Sequence, residues 1–246
     1  SFLSTARNHK GTPQQFWNEV LPQNPEFKEK PELIKAIQFT NQIAMLSGNH
    51  QALLEELQVN QKITSATDLL QLSTKKWESI FSKTGVPDFI EGKDNNEKVR
   101  RYMEHIQNML HAAFPTQKIA IMIGKGELHL TNKNAAKGVS AYLKANPDFN
   151  FRTSKIHSLD DQIREAAPDN SGDVKKELFT LQRIFQVSPT PDTMDILMKE
   201  RFHSAYSIAA IPIKSFIKTY GEKLGGEDVA YAIHQRASFI NTRAEH

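Results

Sequence analysis

Cysteine is absent from the 246 residues of this chain. Disulfide bonds, thiolate metal sites and a cysteine nucleophile are therefore excluded, while the redox compartment stays undecided. Long apolar runs are missing too, since the longest, residues 119–123, is far shorter than the ~20 residues that span a bilayer. Residues 1–7 lack the basic start and the apolar stretch of a secretory signal. We therefore expect neither membrane insertion by this segment nor a signal peptide in it.

Charge of one sign is not concentrated anywhere in the sequence. The chain has 31 lysines and arginines against 28 acidic residues, a net charge of +3, and the two signs are interleaved, as in Lys28-Glu29-Lys30. A nucleic-acid binder usually gathers its basic residues into one run or patch. We therefore expect no nucleic-acid partner. The apolar content of 39% is that of an ordinary globular protein with a core of its own.

Apolar residues recur three or four positions apart over most of the chain, which predicts an all-α fold. The segment 33–46 shows this spacing, and the glycine and asparagine at 48–49 are typical of a helix end. Serine and threonine at 64–65 and at 73–74 each precede an apolar stretch, where they can cap the next helix. The predicted elements are short helices and helical hairpins joined by polar turns.

Residues 118–130 are the stretch where strand and helix compete. Residues 119–123 are β-branched enough for a strand, with 127–130 as a hairpin partner around the glycine-rich turn at 124–126. The helices predicted on both sides favour a helix instead, so a small irregular or β-hairpin segment stays an alternative. Further along, residues 149–156 are predicted to run extended.

Three short motifs of the first half recur, in the same order, in the second half. Apolar positions after the third motif stay in step, so that Trp77 matches Phe216 and Phe81 matches Tyr220. Duplicated units of this kind stack on each other, and each buries one face and presents another. The motif pairs are 24–27 with 146–149 at an offset of 122, 39–42 with 179–182 at 140, and 63–66 with 202–205 at 139.

The jump in offset from 122 to 140 indicates an insertion between residues 149 and 179, where residues 166–173 have the composition of a loop. We therefore predict two tandem degenerate repeats that form a solenoid-like bundle. The first helical repeat covers residues 1–117, a connecting helical segment covers 118–145, and the second repeat covers 146–246. Such an arrangement favours scaffolding over catalysis.

Patterns that could carry chemistry are incomplete. Gly124-Lys125-Gly126 lacks the third glycine of a dinucleotide site and the full P-loop pattern, so we interpret it as a surface turn. The adjacent carboxylates at 55–56 and 160–161 point in different directions on a helix and make no acid–base pair. The histidines, at 9, 50, 105, 111, 129, 157, 203, 234 and 246, lack the i, i+4 pairing of a helical zinc site. We predict no catalytic residue, no cofactor-binding residue and no metal ligand, and hence no enzyme and no cofactor.

Residues 64–73 resemble the first half of a helix-hairpin-helix element, a module often used against the DNA backbone. Such modules hold a glycine in the turn, whereas the equivalent turns here are 71–73 and 210–212, and the second contains a proline that removes an amide donor. A structural hairpin is the favoured interpretation. Because Trp77 and Phe216 occupy matching positions, we expect both in the core rather than on a recognition surface.

A string of short motifs, specific in its order rather than in any single member, runs along almost the whole chain. Its members are Phe16-Trp17, residues 38–50 with Leu53-Leu54, Phe114-Pro115-Thr116, residues 142–153, residues 181–185 with Pro189, residues 204–209 with Phe216, and Tyr220-Gly221 with residues 224–227. Together they resemble the α-helical shell of the large A-type subunits of bacterial Tc toxins and of related virulence-plasmid A proteins.

This resemblance implies an α-helical shell that surrounds the central channel of a pentameric toxin-translocating assembly, as a structural part without an active site. It implies partners among the other domains or subunits of a toxin complex, with a host-surface receptor as a further candidate. The location implied is secreted or cell-surface, as part of a larger bacterial protein. Since the channel-forming segment, linker and receptor-binding β-domain of the family are missing, we expect an excised fragment or a module reused in another secretion-linked toxin.

We therefore expect a non-enzymatic structural module of a Tc-toxin-like secreted virulence protein, one that contributes to assembly or delivery of a toxin complex. The first alternative is a recognition module that binds a host receptor, a glycan or a partner toxin subunit. A module that binds the DNA backbone is the second alternative.

Overall fold

Helices form where the apolar residues recur three or four apart, and the residues that the structure describes contain helices and turns but no strand. The computed structural model describes residues 1–188 and 190–244, so Pro189 of the resemblance lies outside the described residues. The chain divides into two units, Ser1–Leu110 and His111–His246. The all-α prediction is confirmed.

The first unit consists of helices interrupted by two π-helical turns, Phe16–Val20 and Glu56–Asn60. An aromatic cluster of Trp77, Phe81 and Tyr102 forms part of its core, with ring centroids 5.4 Å apart for the first two and 5.0 Å for the last two. All three side chains are buried. The helices are α1 (Phe2–Asn8), α2 (Pro13–Gln15), α3 (Leu21–Gln23), α4 (Pro31–Leu46), α5 (Gln51–Glu55), α6 (Ala66–Leu70), α7 (Thr74–Thr84) and α8 (Asn95–Ala113), the last of which ends beyond the division.

The second unit is organised around one long helix, Ser171–Val187, which packs against five other helices of the unit. Its residues Val174, Leu178, Leu181 and Ile184 are fully buried. Short 3-10 turns lie at Lys133–Ala135 and Ile156–Ser158. The helices are α9 (Pro115–Lys125), α10 (Ala136–Ala145), α11 (Asp160–Ala166), α12 (Ser171–Val187), α13 (Pro191–Lys199), α14 (Ala205–Ala209), α15 (Ile213–Tyr220) and α16 (Glu227–Ala244).

The stretch where strand and helix compete is helical up to Lys125, so the β-hairpin alternative is wrong. Proline at the first position suits a helix start, and Ile119, Met122 and Ile123, three and four residues apart, are all buried. Gly126 ends the helix in the left-handed region at φ 71°. Residues 127–132, which follow, are irregular.

Residues 149–156, which the sequence predicts to run extended, contain a turn instead. The Asn150 side chain accepts a hydrogen bond from the Arg152 backbone N–H at 2.8 Å, and the Asn150 carbonyl accepts one from the Ser154 N–H at 2.8 Å. The Ser154 hydroxyl in turn accepts from the Asn150 N–H at 2.9 Å. These local bonds favour a turn over an extended backbone, because asparagine and serine side chains satisfy backbone groups themselves.

Helical hairpins stand at matching places in the two units. Ser65 caps α6 and Ser204 caps α14, each hydroxyl accepting a hydrogen bond from the backbone N–H three residues on. Three residues before each cap, Lys62 and Arg201 adopt positive φ values of 53° and 63°, which non-glycine residues seldom adopt. Both pairs are separated by the offset of 139 residues that the sequence motifs show. The unusual backbone is therefore shared as well as the sequence pattern.

Trp77 and Phe216, the matching aromatic residues of the two hairpins, are both core residues, as predicted. Trp77 on α7 is 2% exposed and Phe216 on α15 is 0% exposed. In the second unit the Phe216 ring packs on Phe202 and Tyr220, with centroids 5.8 and 5.1 Å away.

A π-helical turn accounts for a one-residue difference between the hairpin regions. Helices α5 and α13 begin at Gln51 and Pro191, 140 residues apart, whereas the capped turns that follow are 139 apart. The first unit therefore holds one residue more between these points. Its turn Glu56–Asn60 has hydrogen bonds that span five residues, such as that from the Gln61 N–H to the Glu56 carbonyl at 3.0 Å, and takes up the additional residue.

The repeat boundaries at 117 and 145 and the solenoid-like stacking of the repeats stay predictions. Within the second unit, α9 packs against α10 and α13, and α10 packs against α11 and α12. The segment that the sequence assigns to a connection thus has tertiary contacts within this unit.

A histidine–tyrosine pair lies beside the aromatic cluster of the first unit. One ring nitrogen of His50, Nδ1, lies 3.1 Å from the Tyr102 hydroxyl, and Nε2 lies 3.2 Å from the Thr84 carbonyl. The Tyr102 hydroxyl also donates to the Ser47 carbonyl at 3.2 Å.

Burial lowers the pKa of His50, an effect partly offset by the hydrogen bond to Thr84. In the second unit, burial and then Lys118 lower the pKa of His111, with Asp192 opposing.

Phe216→Ala should lower the free energy of unfolding by about 3–5 kcal/mol, because it removes a fully buried ring and leaves a cavity. Tyr206→Ala is the matched control, since Tyr206 on the neighbouring α14 is 67% exposed, and its effect should stay within about 0.5 kcal/mol. Urea denaturation followed by circular dichroism measures both. Equal effects of the two substitutions would contradict the assignment of Phe216 to the core.

Stability should fall as the pH is lowered from about 7.5 to about 5, a window in which histidine titrates and most carboxylates do not. The pKa values of His50 and His111 are lower in the folded chain than in the unfolded chain. At a pH above the unfolded pKa both histidines are neutral in either state, and the fold has its full stability. As the pH falls through the unfolded pKa towards the folded pKa, the unfolded chain binds protons more readily, so the free energy of unfolding decreases. The double variant His50→Gln/His111→Gln should have a shallower dependence of urea midpoint on pH than the wild type. Parallel pH profiles would refute this assignment.

Candidate functional site

The glycine-rich turn is the C-terminal end of α9. Lys125 is its last residue, and the N–H groups of Gly126 and Glu127 bond back to the Ile123 and Met122 carbonyls at 3.1 and 2.8 Å. A helix C-terminus carries partial negative charge, which disfavours phosphate. These residues lie on the surface, as predicted, but only Gly126 is a turn residue, because Gly124 and Lys125 are the end of α9.

The adjacent carboxylates are separated by the helix geometry. Glu56 is buried and accepts hydrogen bonds from Asn60, Gln61 and Lys83, whereas Glu55 is exposed. These side-chain hydrogen bonds, that of Asn60 first, lower the pKa of Glu56. Over the described ranges, no group of three or more histidine, aspartate and glutamate side chains is arranged to hold a metal ion.

Among the acidic side chains that the structure describes in the second unit, that of Glu177 is the most deeply buried, at 2% exposure. Its two carboxylate oxygens accept hydrogen bonds from the backbone N–H groups of Thr131 and Asn132, at 2.9 and 3.0 Å. Hydrogen bonds from neutral donors to a carboxylate are stronger than neutral pairs. Glu177 therefore fastens the irregular segment after α9 to the central helix α12.

Asp195 on α13 fastens the same segment at a second point. One oxygen accepts from the His129 backbone N–H at 2.8 Å, and the other pairs with Lys199 one turn further along α13 at 2.6 Å. A cavity of about 370 Å³ lies beside these bonds, lined in part by His129, Lys133 and Lys199. Asp195, the acidic residue in its lining, is already bound to His129 and Lys199, so these contacts are structural.

A cationic groove lies on the surface of the second unit. It has a volume of about 470 Å³ and lies between the turn that follows Phe151 and the exposed side of α12. Arg152, Lys155 and His157 supply three basic side chains. Among the described residues that line the groove, none is acidic. We call this feature the cationic groove.

The walls of the cationic groove are held by hydrogen bonds and ring contacts. Gln182 on α12 donates from Nε2 to the carbonyls of Phe151 and Ser154, at 3.1 and 2.9 Å. The His157 ring packs on Phe179 with centroids 4.6 Å apart. Because backbone carbonyls of the loop are tied to a buried helix, the basic side chains project from a fixed support.

A further cation lies on α12 beside Phe179, one of the residues that line the cationic groove. The Arg183 guanidinium carbon lies 5.8 Å from the centroid of the Phe179 ring, within the range of a cation–π contact. Four ion pairs occur among the described residues of the second unit, and they use Arg164, Lys175, Lys199 and Lys223. The cations of the groove are thus outside the ion pairs of the described part of this unit.

Sequence reasoning did not identify the cationic groove. Its basic residues come from the loop at 152–157, and each alone has the character of a solvated surface charge. A signal was present in the sequence, since residues 150–158 contain two cations and a histidine without an acid. That signal acquires meaning only once Phe179 and Gln182 are placed beside it.

Replacing Glu177 tests the fastening of the segment at 127–132 to α12. In Glu177→Ala the Thr131 and Asn132 amides lose their acceptor, so their hydrogen-exchange protection should fall by about tenfold or more. Glu177→Gln keeps one acceptor oxygen and should give an intermediate result. Glu165→Ala, at an exposed position on α11, is the control and should leave both amides protected. Unchanged exchange at both amides in Glu177→Ala would show that Glu177 does not hold this segment.

Among the described helices, none combines the length and the apolar character that crossing a bilayer requires. The chain was also compared with known proteins in three ways. No protein-family model, no curated protein and no solved structure matched it.

Proposed function

We propose that this chain is a non-enzymatic helical module that works through contacts with other protein domains or subunits. The observation that carries the proposal is the pair of capped hairpins, Ser65 to Phe81 and Ser204 to Tyr220. Their serine caps and positive-φ turns correspond, and so do the buried rings of Trp77 and Phe216. A corresponding set of core and cap residues supports a role in shape, because it preserves packing rather than an arrangement of reactive groups.

The use of the buried polar groups supports the same proposal. Glu177 and Asp195 bind backbone N–H groups, and Thr116 accepts from the Phe151 N–H at 3.2 Å. Over the described ranges, every buried side-chain nitrogen and oxygen has a hydrogen-bond partner. The hydrogen bonds of these groups hold loops against helices.

The resemblance to the helical shell of Tc-toxin A-type subunits supplies a setting for this role. In the proposal, the module forms part of a helical shell within a secreted or cell-surface virulence protein and contributes to assembly or delivery of a toxin complex. The all-α architecture agrees with such a shell. Its partners would be other domains or subunits of the complex.

A recognition module is the second candidate function, and the cationic groove favours it. Arg152, Lys155 and His157 offer an exposed surface of one charge sign on a well-fastened loop. A receptor, glycan or partner toxin subunit that carries negative charge would complement this surface. The two functions are compatible, since a structural module can also carry a partner site.

Electron cryomicroscopy of the polypeptide that contains this chain tests the structural role. We expect a ring-shaped assembly in which this chain lies in the outer helical wall around a central channel. The matched control is the same polypeptide with this segment deleted, which should fail to form the ring. An intact ring after deletion would contradict the proposal, as would a single-copy particle with a substrate or cofactor bound in this chain.

A further inference from the structure

We infer that the cationic groove is a docking site for a short acidic segment of a partner protein, one that also carries an apolar side chain. This inference rests on the proposed role in protein contacts and names the chemistry of one partner. Its first support is the uncompensated charge of Arg152, Lys155 and Arg183, which stand outside the ion pairs among the described residues of this unit.

The acid next to the cationic groove is already neutralised. Asp160, at the start of α11, is bound by Lys175 of α12 through a short ion pair. This hydrogen bond is the main reason why the pKa of Asp160 lies below its ordinary value, and His157 contributes a smaller attraction. Since the charge of Asp160 is matched by Lys175, the positive field of the groove is left to attract an outside anion.

The shape of the cationic groove suits a peptide side chain as well as a charge. It has a volume of about 470 Å³ and is open to solvent, so a side chain can enter it from the surface. The apolar surface in the wall is the partly buried ring of Phe179, since Ile156 beneath the loop is 1% exposed and belongs to the core. Ser158 and Gln186 on the rim add polar groups that can bond a peptide backbone. An acidic segment with one leucine or aromatic residue would use all three kinds of surface.

The loop is prepared for binding. Gln182 bonds to two of its carbonyls, and the turn at Asn150 is closed by three further hydrogen bonds. A loop held in advance loses little conformational entropy when a partner docks, and this saving raises affinity.

An acidic peptide fits the cationic groove better than a nucleic acid does. Single-stranded nucleic acid usually binds along an extended basic groove in which aromatic side chains stack on successive bases. Here the cations are confined to one short groove. A short peptide with a few carboxylates matches this small number of cations, whereas a nucleic acid carries a phosphate on every nucleotide and would place charges beyond them.

Fluorescence anisotropy with three labelled probes tests the inference on the full chain. The first probe is a short peptide in which glutamate and aspartate alternate with leucine, and the second has glutamine and asparagine in place of the acids. The third is a single-stranded oligothymidylate of similar length. We expect the acidic peptide to bind at low salt, more weakly as salt rises, and the other two to bind much less.

The variant Arg152→Gln/Lys155→Gln should weaken binding of the acidic peptide by about tenfold, because it removes two charge pairs at the surface. Lys137→Gln/Lys144→Gln is the matched control, with the same change in charge at exposed positions of α10, and should bind within about twofold of the wild type. Both variants change exposed side chains outside the ion pairs of the described residues. Their circular dichroism spectra and melting curves should therefore match those of the wild type.

The inference is overturned if the acidic peptide fails to bind at low salt, or if the groove variant binds it as tightly as the control variant does. It is also overturned if the neutral peptide binds equally well, or if oligothymidylate binds more tightly than the acidic peptide and loses affinity in the groove variant. The last result would assign the groove to nucleic acid. None of these results bears on the place of the chain in a ring assembly, so failure of the docking site and failure of the structural role are distinguishable.

Discussion

Burial of α12 is the constraint on which the second unit depends. This helix packs against α10, α11, α13, α14 and α16, and its apolar residues are withdrawn from water. Because a buried helix face tolerates little rearrangement, the polar side chains on the same helix have fixed positions. Glu177 holds the segment after α9, Gln182 holds the turn after Phe151, and Phe179 with Gln182 and Gln186 lines one side of the cationic groove. The core of the second unit, two of its loops and the candidate site therefore all depend on the position of α12.

Much of the fold could be predicted from spacing and caps, since these depend on neighbours in sequence. The end of α4 and the serine caps of α6 and α7 follow from local patterns. The turn at Asn150 could not be predicted from apolar spacing, because it is made by side-chain hydrogen bonds to a backbone nearby. The β-branched run in α9 was ambiguous in isolation, and its burial against other helices favours the helix. The cationic groove could not be predicted from a motif, because it forms only when the loop at 152–158 packs beside α12.

A structural role and a docking role place different demands on a sequence. A structural module must keep its core, its caps and its buried hydrogen bonds, and the corresponding hairpins show these features in both units. A docking site requires only a few unpaired charges on a rigid support, and it can occur in one unit alone. The cationic groove has this character, because the position in the first unit that matches Arg183 at the offset of 140 is the apolar Ile43. We therefore propose a shared architecture with one specialised surface.

Binding of the acidic peptide in the cationic groove is tested most directly by chemical-shift mapping of backbone amides during a titration with that peptide. We expect shift changes that concentrate on residues 152–158 and on the part of α12 from Phe179 to Gln186, with the hairpins of both units unaffected. Binding in this groove would be contradicted by changes centred on the hairpins, by changes distributed over both units, or by an absence of changes at peptide concentrations that saturate the anisotropy signal.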